Sequence, residues 1–189
     1  DFKLLKVVEG LEHPWALAFL PKGDVLISER PGRMRLYSDG ELLSVQGLPE
    51  VYAFGQGGLL DIALHPNFEQ NRLVYFTYTS DSPEGPATTL QRARLEGTHL
   101  VDSEQLYRMT MSSSTRHHFG SRIVFGPEGF IYMTIGDRGE RVQAQQLDNA
   151  AGTTLRFNPD GSIPEDNPFR NHQTALPEIY SYGHRNAQG

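Results

Sequence analysis

His118 and Asp137 are, by type, a proton acceptor and a carboxylate that could orient it. Between them run a short apolar segment (residues 121–125), the turn Gly126-Pro-Glu-Gly, and a second apolar segment (residues 130–135). Glycine and proline at such a turn predict a hairpin. Folded about the midpoint between Pro127 and Glu128, it returns His118 and Asp137, equidistant from the turn, to one end of the strand pair. An imidazole beside a carboxylate at a strand end suits a general base with its partner. The plain alternative is a solvated hairpin rim.

The composition narrows the setting for such a pair. A chain of 189 residues suits one domain spanning 1–189. With a net charge of -6 and no run of lysines or arginines, nucleic acid is a poor partner and an anionic membrane would repel the surface. Apolar runs reach only a few residues, far short of the roughly 20 that span a bilayer. No secretory signal stands at the start, and the first residue is Asp1 rather than Met, as expected for a processed or trimmed product. Without cysteine there is no disulfide, thiol nucleophile or thiolate metal site. That composition suits the cytosol and the periplasm equally.

Glycine and proline are scattered along the chain between short β-rich runs, the punctuation of an all-β domain. Residues 2–8 alternate weakly and predict a strand. An apolar strand, a proline turn, a buried strand and an alternating strand with outward arginines then recur three times. The turn prolines are Pro21, Pro66 and Pro127. Multi-stranded repeats of roughly 45 residues indicate a β-propeller of four-stranded antiparallel blades, of which this length holds about three to four. A β-sandwich is the competing architecture.

In this register Gln56 precedes Pro66 by ten residues and His118 precedes Pro127 by nine. They lead into equivalent strands, on one face and near the axis. Gly55, Gly57 and Gly58 would let a ligand or another backbone approach closely; a glycine-rich surface loop is the plainer reading. Residues 79–88 form a polar, mobile loop, and residues 143–149 a short helical turn. Asp160 and Asp166 lack calcium-loop spacing and read as a solvated turn. A last strand reaches Tyr182, and residues 183–189 lead into another blade with Arg185 and Asn186 facing the axis. The strand that should follow is missing, so the chain reads as incomplete.

Several segments together resemble the glucose/sorbosone dehydrogenase family, the soluble quinoprotein aldose sugar dehydrogenases. They are His13-Pro-Trp-Ala-Leu-Ala-Phe, Gly55-Gln-Gly-Gly-Leu-Leu-Asp, His118-Phe-Gly-Ser-Arg, Ile135-Gly-Asp, Asp160-Gly-Ser-Ile-Pro-Glu-Asp-Asn-Pro-Phe and Tyr182-Gly-His-Arg-Asn-Ala-Gln-Gly. The resemblance implies a six-bladed propeller that binds pyrroloquinoline quinone (PQQ) and calcium, with this chain as roughly its first half. It implies His118 as the base that takes the anomeric hydroxyl proton and Asp137 as the acid beside it. Gln56, Arg185 and Asn186 are implied as cofactor contacts, with calcium ligands beyond residue 189. His117 competes with His118, but hairpin midpoint and motif register both select His118. Thr153 and Thr154 depart from the family, which often has Gly-Lys, or Lys and an apolar residue, there.

The resemblance further implies an aldose substrate, an external electron acceptor and a periplasmic or secreted location. Two other functions compete. A non-catalytic propeller would bind a protein or carbohydrate partner, and the combination of axial residues argues against it. A calcium-dependent propeller lactonase would need axial carboxylates and asparagines as metal ligands, where this chain presents Gln, His and Arg.

Overall fold

In the computed structural model, residues 2–81, 83, 85–110 and 113–188 are described. Ser82 and Glu84 of the polar loop, and Gly189 of the last motif, lie outside the described residues. Among the described residues twelve strands make three sheets, each a four-stranded antiparallel meander in chain order. Blade 1 holds β1 (Pro14–Phe19), β2 (Val25–Glu29), β3 (Arg33–Ser38) and β4 (Glu41–Val45). Blade 2 holds β5 (Leu59–Leu64), β6 (Leu73–Ser80), β7 (Ala87–Glu96) and β8 (His99–Arg108). Blade 3 holds β9 (Ile123–Phe125), β10 (Ile131–Thr134), β11 (Thr153–Phe157) and β12 (Ile179–Tyr182). The first strands lie side by side, β1 against β5 and β5 against β9. Sheets stacked face to face around adjacent first strands are propeller blades.

β6 shows why the blades stack. Its centre is buried throughout, with successive side chains sent to opposite faces. Val74, Phe76 and Tyr78 join the core shared with blade 1, beside Leu26, Met34 and Leu59. Leu73 and Tyr75 join the core shared with blade 3, beside Ile131, Leu155 and Phe157. Each wholly buried aliphatic or aromatic side chain contributes on the order of 1.5–3 kcal/mol. The outer faces of the stack keep apolar residues in solvent, including Leu17, Phe19 and Val124.

Polar ties fix one blade's offset against the next. Ser28 Oγ donates to the Leu60 carbonyl at 2.5 Å, and Thr77 Oγ1 to the Ser121 carbonyl at 2.8 Å. Buried Asp61 on β5 takes the Ile123 N–H at 2.8 Å and Arg122 Nη1 at 3.0 Å. Burial pushes the Asp61 carboxyl above its ordinary range, against the lowering by the Ile123 N–H and Arg122.

Several expectations shift. Residues 2–8 form no strand: none of the described strands pairs with them, and Phe2 and Leu4 lie in solvent. The hairpin strands are shorter than predicted, and the pairing of Ile131 with Phe125 centres the hairpin on Glu128. The cause is a three-residue loop. Gly126 N–H donates to the Phe130 carbonyl, Gly129 N–H to the Gly126 carbonyl, and Gly129 takes the left-handed conformation (φ 86°). By that symmetry His118 mirrors Arg138 rather than Asp137. The expected helical turn is a 3-10 turn at Gln143–Gln145, while α1 (Phe68–Asn71) has no counterpart in the sequence reading. Asp160 binds Ser162, and Asp166 binds Arg156 at 2.5 Å. Among the described residues no helix is long and apolar enough to cross a membrane.

Replacing Asp61 with alanine strands the buried Ile123 N–H and releases Arg122. Urea unfolding of Asp61→Ala should show a loss of about 2–3 kcal/mol.

Candidate functional site at the mouth of the blades

Four loop segments meet at one end of the first strands. Residues 54–58 lead into β5 and residues 115–121 into β9; residues 136–139 follow β10 and residues 183–188 follow β12. Backbone bonds join them in pairs. Gln56 N–H donates to the Arg116 carbonyl at 2.8 Å, and Asp137 N–H to the Arg185 carbonyl at 2.7 Å. Side chains complete the circuit: His118 N–H donates to Gln56 Oε1 at 2.9 Å, and Gly120 N–H to Asn186 Oδ1 at 3.0 Å. The structure thus gathers Gln56, His118, Asp137, Arg185 and Asn186 into one cluster.

His118 Nδ1 lies 2.6 Å from Asp137 Oδ1. The mirror symmetry of the hairpin does not produce this contact. Left-handed turns at His118 (φ 57°), Gly120 and Ser121 (φ 87°) re-aim the lead-in. A non-glycine residue held there costs on the order of 1–3 kcal/mol, so the surroundings must hold His118 in place. Gly136 is part of that hold. A Cβ on Gly136 would overlap the His118 carbonyl oxygen.

Asp137 is 2 % exposed by side chain and His118 15 %. Burial pushes the Asp137 carboxyl up, but the His118 ring, the Gly139 N–H at 2.8 Å and the Arg185 charge together hold it below the ordinary 3.8. An ionised carboxylate only accepts, so Nδ1 carries the proton and donates it to Asp137. Nε2 is left with its lone pair, and among the described residues nothing bonds to it. His117 stands edge-on to His118, ring centroids 4.6 Å apart, and among the described residues no carboxylate bonds to it.

The surroundings are rich in donors. The oxygens of Gln56 and Asn186 are taken by backbone N–H groups, and among the described residues both NH2 groups are left as donors with no hydrogen bond. The Arg185 guanidinium adds to them. A cavity of about 370 Å³ opens beside Asp137, lined also by Arg141, Gln145, His184 and Arg185. Donors of this kind fit an acceptor-rich anion such as a tricarboxylate quinone. Among the described residues no cluster of three or more acidic or histidine side chains is set to hold a metal ion.

One neighbour escaped the sequence reading. Arg138 is wholly buried, and burial pulls its guanidinium down to about 10. An arginine after Gly-Asp carries no mark of burial in the sequence. Only its reflection of His118 across Glu128 could have pointed to it.

Fold and site together define a β-propeller protein with a histidine–carboxylate pair and a donor-lined mouth at its axis. The family model described as "Glucose / Sorbosone dehydrogenase" matches residues 11–189, and the chain belongs to that family. It is 41 % identical over 187 residues to the aldose sugar dehydrogenase YliI of Escherichia coli, covering 96 % of this chain and 50 % of that protein. To quinoprotein glucose dehydrogenase B of Acinetobacter calcoaceticus it is 31 % identical, covering 100 % of this chain and 45 % of that protein. The solved PQQ-bound aldose sugar dehydrogenase of Streptomyces coelicolor superposes with a TM-score of 0.84 at 33 % identity, over 97 % of this chain and 54 % of that one. The chain spans about half the length of the curated relatives it matches.

Two outcomes test the geometry. Gly136→Ala should displace His118 and lower stability by about 2 kcal/mol or more, read by thermal unfolding. The Asp137 carboxyl, followed by carbon NMR, should titrate below 3.8. Its contribution to stability is then complete above the unfolded value of about 4 and is lost only as pH falls through the lower folded value.

Proposed function

We propose that this chain supplies the base and part of the cofactor site of a PQQ-dependent enzyme that oxidises aldoses at the anomeric carbon to lactones. The observation that carries the reading is the 2.6 Å bond from His118 Nδ1 to buried Asp137, which leaves Nε2 as a base. His118 Nε2 takes the proton of the anomeric hydroxyl as the C1–O bond becomes a carbonyl. Asp137 stays ionised, keeps the ring in the required tautomer and stabilises the imidazolium that forms. Gln56 and Asn186 orient the cofactor through their NH2 groups, and Arg185 offsets its negative charge. Bound PQQ supplies the two-electron acceptor that takes the anomeric hydride.

The resemblance adds calcium, with ligands beyond residue 189. An external electron acceptor would be needed to reoxidise the cofactor. The family resemblance also favours a periplasmic or secreted location. The protein-binding alternative needs no buried carboxylate behind a histidine, and the lactonase alternative needs a carboxylate-rich metal site.

The test is aldose-dependent reduction of a redox dye by the full-length protein with PQQ and calcium. His118→Ala should lower turnover by about 10²–10⁴-fold and spare PQQ binding. Asp137→Asn should cost about 10²-fold or more through the wrong tautomer. No dye reduction across several aldoses would favour the binding module instead.

A further inference from the structure

We propose that Arg138 is the positioning residue of His118, an inference that rests on the sugar-oxidation reading for its kinetic consequence. Arg138 is a buried cation that the proton transfer itself does not use. Among the described residues no carboxylate pairs with it. Backbone carbonyls surround it instead: Nη2 donates to Thr115 at 2.8 Å, Nη1 to Pro86 at 3.0 Å and Nε to His117 at 3.3 Å. Thr115 Oγ1 returns a bond to the Arg138 carbonyl at 2.7 Å. The guanidinium carbon lies over the Phe119 ring, 3.8 Å from its centre. Only arginine combines several planar donors with a face that stacks on an aromatic ring.

These contacts converge on the short segment that carries His118. Thr115, His117 and Phe119 bracket it, and the decisive contact is at the 117–118 peptide. Arg138 Nε holds its carbonyl, and Gln56 Oε1 holds its N–H. A peptide gripped at both ends fixes the plane from which the His118 side chain departs. The next residue back from Arg138 is Asp137, which grips the ring at Nδ1. Two consecutive residues after β10 therefore set the backbone and the ring of the same histidine. The Pro86 contact anchors this grip in blade 2, so the imidazole is referenced to two blades at once.

The experiment uses the full-length protein loaded with PQQ and calcium. Arg138→Met and Arg138→Lys are compared by kcat, KM for the aldose, thermal midpoint, and the downfield proton resonance of the His118 Nδ1–H held by Asp137. Loss of the grip should lower kcat of Arg138→Met by about 10²-fold, the scale of a misplacement near 1 Å. KM should stay within about threefold, and the resonance should weaken or vanish. Arg138→Lys, with one point of charge and no stacking face, should recover only part of each. If Arg138→Met does not fold, Arg138→Lys and Phe119→Leu report the same quantities. Native kcat and resonance in a folded variant would overturn the proposal. A lowered thermal midpoint with kcat and resonance unchanged would overturn it equally, since that is a purely structural role. If the parent protein reduces no dye with any aldose, the sugar-oxidation reading fails, while loss or retention of the resonance still decides for or against the Arg138 grip.

Discussion

The buried carboxylate of Asp61 sets the relation between blades on which the site depends. It sits on β5 and takes the N–H of Ile123, the first residue of β9. It also takes Arg122, whose guanidinium lies 4.6 Å from the centre of the Trp15 ring on β1. One side chain thus ties the first strands of all three blades. Burial alone would favour its neutral form, so the arginine and the two backbone donors around it compensate for lost water. With β5 and β9 in this offset, Gln56 comes level with His118, and the amide-to-backbone bond between them can form.

Above that tie, the site separates holding from acting. The oxygens of Gln56 and Asn186 hold backbone N–H groups of the His118 segment. Their nitrogens, with the Arg185 guanidinium, remain for an external acceptor. Asp137 likewise faces inward to His118 Nδ1 and the Gly139 N–H. Among the described residues Nε2 of the imidazole keeps no hydrogen-bond partner and is left as an acceptor beside those donors.

The chain's periodicity made the larger features legible. Proline turns and alternating runs foretold three strands of each blade, because a strand buried on one face must alternate and a tight turn must hold special residues. The outermost strands β4 and β8 carry no such mark. Their mixed, largely exposed sequences, such as Glu41-Leu-Leu-Ser-Val, gave no two-faced pattern to read. Residues 2–8 erred in the other direction. Alternation marks a segment that could be a strand, but a partner makes it one, and the described strands offer none. Gln56 and His118 were found by equivalence of register. That equivalence also sets them on one face near the axis; the direct hydrogen bond between them could not be read, because it rests on left-handed turns and on glycines whose role is steric fit.

The hairpin shows how a near-correct local argument can reach the right residues by the wrong symmetry. Its three-residue turn moves the centre to Glu128, so simple reflection opposes His118 to Arg138. Reflection does describe the backbone relation, for Arg138 reaches the carbonyl of His117. It fails for the ring, because the left-handed turn at His118 swings the imidazole one residue along to Asp137. That turn is unfavourable in isolation and persists because the peptide before it is held at both ends. A regular hairpin would satisfy its own backbone and leave the histidine in solvent. At residues 117–120 the backbone has left the ladder, and the side chains of Gln56, Asn186 and Arg138 bond its exposed groups instead. The polar residues that stand in for the missing ladder are thus the ones that bring an imidazole to a buried carboxylate.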